Sequence, residues 1–249
     1  MSSPALFSRS IIRTVQLNRR VQSYSQLINL PKTTNSLPRI PFIMSFSNTS
    51  TGSKPADPYK ATNQDNDVSV KDKVESFVSF ADKTKFAMMT TRDAKSGALV
   101  SRAMALAATE NGGVDLLFHT NTESNKTDEI DSDPHINISF INSSGDWASV
   151  SGVSSVITDR SLVKKHYSPT LKAWVGDLGD GTHDGSENDP RIGIIRVKTV
   201  SITYALSNAT FIGKVAQLAE GVVTGSPAKV NKLREVSSQE VEQYRSASS

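Results

Sequence analysis

The sequence predicts a mainly β protein, a six-stranded antiparallel barrel with peripheral helices. Three observations lead to this prediction. Six segments have the composition of strands, several of the turns between them are short and rich in Gly, Asn, Asp and Ser, and helical patterns interrupt the series at only a few places. Antiparallel strands joined by tight turns favour a barrel, because closure removes the exposed edges of the sheet.

The ordered domain is predicted to begin with a helix over residues 69–83. Ser69 followed by Asp72 resembles a capping box, and apolar residues recur behind it at helical spacing. The period then changes to that of strands over residues 85–92 and 98–107, and the sequence DAKSG between them supplies turn residues. The barrel therefore starts directly after this helix.

Four more strands complete the predicted barrel. They cover residues 114–120, 136–142, 147–158 and 191–206. The turn NGG precedes the first of them, and SSGD separates the second from the third. The last segment is long enough to bend across a barrel.

Helical patterns are predicted at four further places. They cover residues 124–130, 161–167, 213–220 and 227–235. The last of these rests on Ser226 followed by Pro227, a cap residue before a proline at the first helical position.

The charges are unevenly distributed along the chain. Seven of the 28 basic residues and none of the 25 acidic residues precede Asp57, so the remaining 21 basic and 25 acidic residues give the body a net charge of −4. A weakly acidic body gives no reason to expect nucleic-acid binding. The chain has no cysteine, which excludes disulfides and thiolate chemistry, and no uncharged apolar run approaches the roughly 18 residues of a membrane span.

The composition divides the chain into four parts. Residues 1–43 are Arg- and Ser-rich, acid-poor and amphipathic, which is typical of a mitochondrial transit peptide. The alternatives are a disordered basic tail, or a segment that is often not translated because translation starts at Met44. Residues 44–68 are predicted to be a flexible linker, 69–220 the barrel domain and 221–249 a C-terminal helical extension. The expected location is the cytoplasm or the mitochondrial matrix.

Several familiar sites are not predicted. No G-x-G-x-x-G motif follows a strand, and no Walker-type loop is present. The sequence DGTHDGSE resembles a calcium loop, but its twelfth position is Arg191 instead of a bidentate glutamate. The four histidines have no spacing that forms a metal-binding face, so we predict no metal site.

The most informative segment spans residues 99–152. One strand ends at Thr120, and a turn with Ser124 and Asn125 leads into a helix that has Lys126 in its first turn. Free backbone N–H groups, hydroxyls and a lysine at a helix N-terminus form an anion site that suits a phosphate. Taken alone, the same pattern is more often a cap beside a solvated lysine.

The order and spacing of these motifs resemble the FMN-binding split barrels of the pyridoxamine 5'-phosphate oxidase-like family. Within that family the chain is most similar to the general-stress-protein branch, which includes fungal blue-light-inducible proteins. The resemblance covers roughly residues 68–215. It is carried by Arg102-Ala-Met-Ala-Leu106, His119-Thr120-Asn121, Ser124-Asn125-Lys126, Glu129-Ile130, Asp133-Pro134 and Gly152.

The resemblance implies an FMN cofactor at the interface of a homodimer. It implies that one strand follows the edge of the flavin ring, that Ser124 and Lys126 hold the phosphate, and that Trp174 reaches toward the flavin of the partner. Trp147 either contacts the flavin or anchors the core. The implied cofactor-binding residues are Arg102, Ala103, Met104, Ala105, Leu106, His119, Thr120, Ser124, Asn125, Lys126, Trp147 and Trp174.

Departures from the family pattern limit the functional prediction. Asn125 replaces an arginine that helps to hold the phosphate, and the C-terminal region has no Arg-x-His pair of the kind that binds pyridoxamine phosphate. Oxidation of pyridoxamine phosphate is therefore disfavoured, and no catalytic residue is predicted. The sequence leaves three functions open: a stress-related FMN-dependent oxidoreductase of unknown substrate with a small-molecule or nicotinamide electron donor, a non-catalytic flavin-sensing or storage protein, and a barrel that binds haem or a deazaflavin.

Overall fold

The computed structural model describes residues 57–65, 67–207 and 211–248. The predicted tail over residues 1–43 and the linker up to residue 56 lie outside the described residues. Within the described ranges, no helix is both long enough and apolar enough to span a membrane.

The described chain contains seven α-helices and seven strands. The helices are α1 (Pro58–Asn63), α2 (Val70–Thr84), α3 (Asn125–Ser132), α4 (Arg160–His166), α5 (Lys172–Val175), α6 (Phe211–Thr224) and α7 (Ser238–Ala247). The strands are β1 (Phe86–Arg92), β2 (Leu99–Glu110), β3 (Asp115–Asn121), β4 (His135–Ile141), β5 (Trp147–Ile157), β6 (Ile192–Ser207) and β7 (Asn231–Val236).

Strands β1 to β6 form the predicted six-stranded antiparallel barrel. Neighbouring strands follow the order β3-β2-β1-β4-β5-β6, and pairing of β3 with β6 closes the ring. The helix predicted before the barrel is present as α2, and Ser69 caps it by accepting a hydrogen bond from the Asp72 N–H at 3.1 Å. The predicted fold class is therefore confirmed, with β7 as an additional strand.

Strand β6 belongs both to the barrel and to its extension. Residues 192–197 pair with β3, and residues 202–207 pair with β7. On its other edge β6 pairs with β5, and the register shifts next to Gly152. A Cβ atom at Gly152 would lie 2.7 Å from Val197 Cγ1 and 2.8 Å from the Lys198 carbonyl, so this close approach requires glycine.

The interior of the barrel is filled by apolar side chains. Its buried members include Met89, Leu116, Phe118, Ile138, Phe140, Val150, Ile195, Val197, Ile202 and Tyr204. Helix α2 packs its apolar face into the same cluster, where the ring of Phe77 meets that of Phe140 edge-on with centroids 6.3 Å apart. Because side chains occupy this interior, a ligand has to bind outside it.

The C-terminal segment differs from the prediction. The helix predicted over residues 227–235 is wrong, because Asn231–Val236 forms strand β7 antiparallel to β6. Burial alternates along it, with Arg234 and Val236 buried, which is the period of a strand. The extension over residues 221–249 is thus a strand followed by helix α7 instead of purely helical.

Part of the predicted linker over residues 44–68 is also folded. Asn63, at the end of α1, is buried and donates to the Ala228 carbonyl at 2.9 Å. Gln64 forms a parallel bridge with Leu233 of β7. Helix α1 therefore packs on a strand that the sequence did not reveal, and the two departures from prediction have one structural origin.

Candidate ligand-binding site

The barrel splits open between β2 and β3. These strands pair with each other only over residues 106–110 and 115–118. Residues 103–105 of β2 continue along β1, whereas residues 119–121 of β3 continue along β6. The two facing edges diverge, and among the described strands their backbone groups have no ladder partner on that side.

A cavity of about 750 Å³ lies at this split, outside the packed interior. Its size falls within the range of small-molecule sites. Eight of the twelve predicted site residues line it: Ala103, Met104, Ala105, Leu106, His119, Thr120, Lys126 and Trp174. The remaining lining residues are Phe86, Ala107, Asn121, His166, Ser168, Thr170, Leu171, Val175 and Ile192.

The segment of residues 166–175, which we call the arm, forms the far wall of the cavity. Trp174 is the only residue of this segment that the sequence predicts as a site residue. Leu171 and Val175 pack against a small second core that includes Leu117 and Ile192, and this contact anchors the arm on the barrel. Trp174 nevertheless remains 86% exposed, and a large exposed aromatic side chain on an anchored segment is suited to contact another molecule.

The turn between β3 and α3 fixes a lysine in the lining of the cavity. The Ser124 hydroxyl donates to the Asn121 carbonyl at 2.6 Å, and Lys126 Nζ donates to Ser124 Oγ at 2.6 Å. Ser124 itself does not line the cavity, and Asn125 is exposed outside it. Of the predicted phosphate-binding group, the structure thus brings only Lys126 to the cavity, with Ser124 as its support.

Lys126 is electrostatically strained in this position. Burial lowers its pKa, the neighbouring Arg102 lowers it further, and Glu129 opposes them. A partly buried ammonium group with a lowered pKa gains stability when an anion binds beside it. The lysine therefore favours a negatively charged ligand group in the cavity.

Arg102 has two partners outside the cavity. Its guanidinium pairs with Glu129 at 2.7 Å and donates to the Thr91 hydroxyl at 2.9 Å, and the Thr91 hydroxyl in turn donates to Glu129. Glu129 and Thr91 are both buried. The arginine holds α3 on the barrel and supports the turn of Lys126.

Trp147 is separated from the other predicted site residues. It lies at the start of β5 and lines a second cavity of about 270 Å³, together with Tyr59, Gln64 and Leu233. The sequence motif places Trp147 within the informative segment, but the length of β5 carries it to another part of the barrel.

Two imidazoles lie in the wall of the main cavity. His119 on β3 and His166 at the end of α4 both line it, and the Nε2 atom of each is buried without a hydrogen-bond partner in the described chain. Burial lowers the pKa of His119, hydrogen bonding to the His166 backbone partly offsets this, and the His166 ring lowers it further. His119 is therefore largely neutral at neutral pH, and buried unpaired nitrogens of this kind are normally satisfied by water or a ligand.

An antiparallel barrel that is split between two strands and has a lysine-containing cavity on its outside defines a split-barrel protein with a candidate ligand site. Comparison with known proteins supplies the family. The pyridoxamine 5'-phosphate oxidase-like family matches residues 72–229, and the protein belongs to this family. The family predicted from the sequence motifs is confirmed.

Several known proteins are similar to this chain. Protein bli-3 of Neurospora crassa is 64% identical over 203 residues, which cover 81% of this chain and 97% of that protein. General stress protein 26 from Jannaschia sp. CCS1 has a TM-score of 0.52 at 15% identity, covering 67% of this chain and 99% of that chain. The general stress FMN/FAD binding protein of Xanthomonas citri has a TM-score of 0.47 at 19% identity, covering 57% of this chain and 93% of that chain. The first similarity supports membership in the family, and the second concerns the fold alone.

Proposed function

We propose that the protein binds FMN in the cleft between β2 and β3 and acts as a flavin-dependent oxidoreductase of unknown substrate in a stress response. The observation that carries the proposal is the combination of an open strand edge along the cavity and a partly buried lysine in its lining. FMN has a planar ring with a hydrogen-bonding edge and a terminal phosphate, so it matches both features.

The strand over residues 103–105 suits the flavin ring. Ala103 and Ala105 line the cavity with small side chains, which leave room for an aromatic ring beside the strand. Their strand offers N–H and C=O groups to the pyrimidine edge of the ring. Bound there, the flavin would supply the hydride chemistry, and the protein would supply position and electrostatics.

Lys126 suits the phosphate. It lies in the first turn of α3, where the helix dipole also favours negative charge. Because Arg102 is paired with Glu129 and Asn125 stands where related flavoproteins have an arginine, this lysine is the main cation for the phosphate. For this reason, we expect the substitution of Lys126 alone to lower the FMN affinity strongly.

A non-catalytic flavin-sensing or storage role is the second candidate. One observation favours it: among the described residues that line the cavity, Lys126 is the only Lys, Arg, Asp or Glu. A charged substrate would have no second anchoring group there. Reduction of the bound flavin by a reduced nicotinamide separates the two roles, because it is expected of the oxidoreductase alone.

The test is a titration of the purified protein with FMN and with FAD, followed by absorbance and flavin fluorescence. We expect a flavin-type spectrum and tighter binding of FMN than of FAD. Anaerobic bleaching of the bound flavin by a reduced nicotinamide supports the oxidoreductase, and an unchanged spectrum supports the non-catalytic role. A protein that binds neither flavin would overturn the proposal.

The proposed assembly is a homodimer that shares its two FMN sites. The outward face of β1 exposes Phe86 (65%) and Met88 (40%), and Phe86 also lines the cavity, so the apolar face and the cavity are continuous. A second copy is the fitting occupant, because one twofold contact through this face closes both open cavities. Trp174 then contacts the flavin site of the partner.

Met88→Glu should disrupt this dimer. The substituted side chain places a charge without a partner in the apolar interface, which opposes association. We expect a monomer by light scattering and weakened FMN binding, although Met88 does not line the cavity. Val223→Glu is the matched control, because Val223 is also an exposed apolar residue but lies on α6. A wild-type monomer that keeps its flavin on dilution contradicts the shared-site dimer.

A further inference from the structure

The loop between the arm and β6 has little regular structure but a buried ion pair at its end. It spans residues 176–191 and has glycines with positive φ at Gly176, Gly179, Gly181 and Gly185. Such a loop would ordinarily belong to the least stable part of a domain. At its base, however, lies a buried ion pair between Arg191 and Asp189, which are 4% and 0% exposed.

The Arg191 guanidinium forms hydrogen bonds with both ends of this loop. It donates to the backbone carbonyls of Val175 (3.2 Å), Gly176 (2.8 Å) and His183 (3.0 Å). It also forms two hydrogen bonds with Asp189, at 3.1 and 2.7 Å. The cation thus occupies a point where several oxygen atoms converge, in the same loop whose sequence resembles a calcium site.

Asp189 completes the arrangement from the other side. Its carboxylate accepts the N–H groups of Gly185 and Arg191, at 2.7 and 2.9 Å. Hydrogen bonding to Arg191 lowers the pKa of Asp189 to about 2, against the opposing effect of burial. The pair therefore remains fully charged from mildly acidic to alkaline pH.

The backbone of Arg191 contacts the turn between β3 and α3. Its carbonyl accepts hydrogen bonds from the Thr122 N–H at 2.8 Å and the Thr122 hydroxyl at 3.1 Å. Thr122 belongs to the turn that positions Lys126. One residue consequently connects the arm, through its side chain, with the lysine turn, through its backbone.

We infer that Arg191 is a positioning residue for the ligand cavity, which holds the arm and Trp174 at a fixed distance from the Lys126 turn. Trp174 is almost fully exposed, so its position depends on the backbone of the arm, and the next two carbonyls of that backbone are those bound by Arg191. The inference rests on the proposed FMN site for its effect on binding. Its structural part, the immobilisation of the arm, does not depend on the ligand.

Arginine is required at this point for a geometric reason. Five N–H donors in a planar fork can serve three carbonyls and a carboxylate at once, whereas the single ammonium group of lysine cannot span them. Arg191→Lys keeps the charge beside Asp189 and removes the simultaneous contacts. It therefore tests the geometry of the contact and leaves the charge unchanged.

The experiment is a double-mutant cycle on FMN affinity with Arg191→Lys and Trp174→Ala in the full-length protein. We expect each single substitution to weaken binding by about tenfold, because Arg191→Lys removes preorganisation of the arm and Trp174→Ala removes the side chain that the arm presents. In the Trp174→Ala background, Arg191→Lys should add less than about twofold, because coupled residues are not additive. A merely structural arginine would weaken binding equally in both backgrounds, and that result would overturn the inference.

A second readout needs no flavin. The chain has two tryptophans, so Trp147→Phe leaves Trp174 as the sole emitter. Arg191→Lys should then lower the fluorescence anisotropy of Trp174. The control Arg196→Lys should not, because Arg196, on β6 shortly after the loop, makes a similar two-bond pair with Glu110 away from the arm.

The outcomes separate the inference from the proposed function. If the wild-type protein binds no FMN while Arg191→Lys still frees Trp174, the proposed function fails and the positioning role stands. If FMN binds and Arg191→Lys changes neither anisotropy nor affinity, the positioning role is wrong. Should Arg191→Lys not fold, Asp189→Asn removes the charge that holds the guanidinium and gives the same comparison.

Discussion

Arg245→Met should lower the free energy of unfolding by about 3–5 kcal/mol, the cost of leaving a buried charge without its partner. Arg245 on α7 forms two hydrogen bonds with Asp115 at the start of β3, at 3.0 and 2.7 Å, and a third with the Thr199 carbonyl at 2.7 Å. Asp115 is 3% exposed. Methionine preserves much of the volume of the side chain, so chemical denaturation should report chiefly the loss of the pair.

The exposed pair of Lys198 and Glu242 provides the control, since it joins the same helix α7 to the neighbouring strand β6 at 3.3 Å. Lys198→Met should cost less than about 1 kcal/mol, as exposed ion pairs contribute little. If Arg245→Met and Lys198→Met lowered the free energy of unfolding by similar amounts, the buried pair would not have the stabilising role assigned to it.

Acid should diminish the effect of Arg245→Met. Burial alone would raise the pKa of Asp115, but hydrogen bonds from Arg245, Asn111 and the Thr199 N–H outweigh it and lower the pKa below 3.8. A carboxylate with a lowered pKa stabilises the fold above its unfolded pKa, and this contribution is lost as the pH falls through the folded value. The difference in free energy of unfolding between the wild type and Arg245→Met should thus have its full value at neutral pH and shrink below about pH 4.

Lys126→Ala should raise the dissociation constant for FMN by roughly 10- to 150-fold, which corresponds to a loss of about 1.5–3 kcal/mol for one charged hydrogen bond. The effect is large because Arg102 is committed to Glu129. Equilibrium titration by flavin fluorescence measures it directly. Lys164→Ala is the control, because Lys164 is an exposed lysine on α4 that does not line the cavity.

Riboflavin, which lacks the phosphate, sharpens this test. If Lys126 binds the phosphate, Lys126→Ala leaves riboflavin affinity unchanged while FMN affinity falls. Equal losses for both ligands would mean that the lysine supports the ring or the fold instead. Equal effects of Lys126→Ala and Lys164→Ala on FMN would mean that the phosphate lies elsewhere.

The barrel could be predicted because its strands have local signals. β1 to β6 alternate or run apolar between clear turn residues, and local composition is sufficient to find them. β7 has the sequence NKLREV, whose charged residues favour a helix as readily as a strand, and its identity depends on pairing with β6. No local pattern reports such a long-range pairing.

The site was predictable where it lies on regular elements. Residues of β2, β3 and the first turn of α3 were found through motif order, and most of them line the cavity. The arm was found only at Trp174, because the return of a loop to the barrel depends on Arg191 and has no periodicity of its own. The partner of Arg102 was missed for a similar reason, since Glu129 meets it only after folding.

The joining of distant chain segments constrains how the protein is made. Asp115 and Arg245 are 130 residues apart, and Lys73 of α2 pairs with Glu240 across 167 residues. During synthesis, a ribosome has therefore released most of the barrel sequence before the segment that neutralises Asp115 emerges. The nascent chain has an uncovered β6 edge until β7 emerges, and it lacks the cation that pairs with Asp115 until α7 emerges, so these contacts are among the last of the described fold to form.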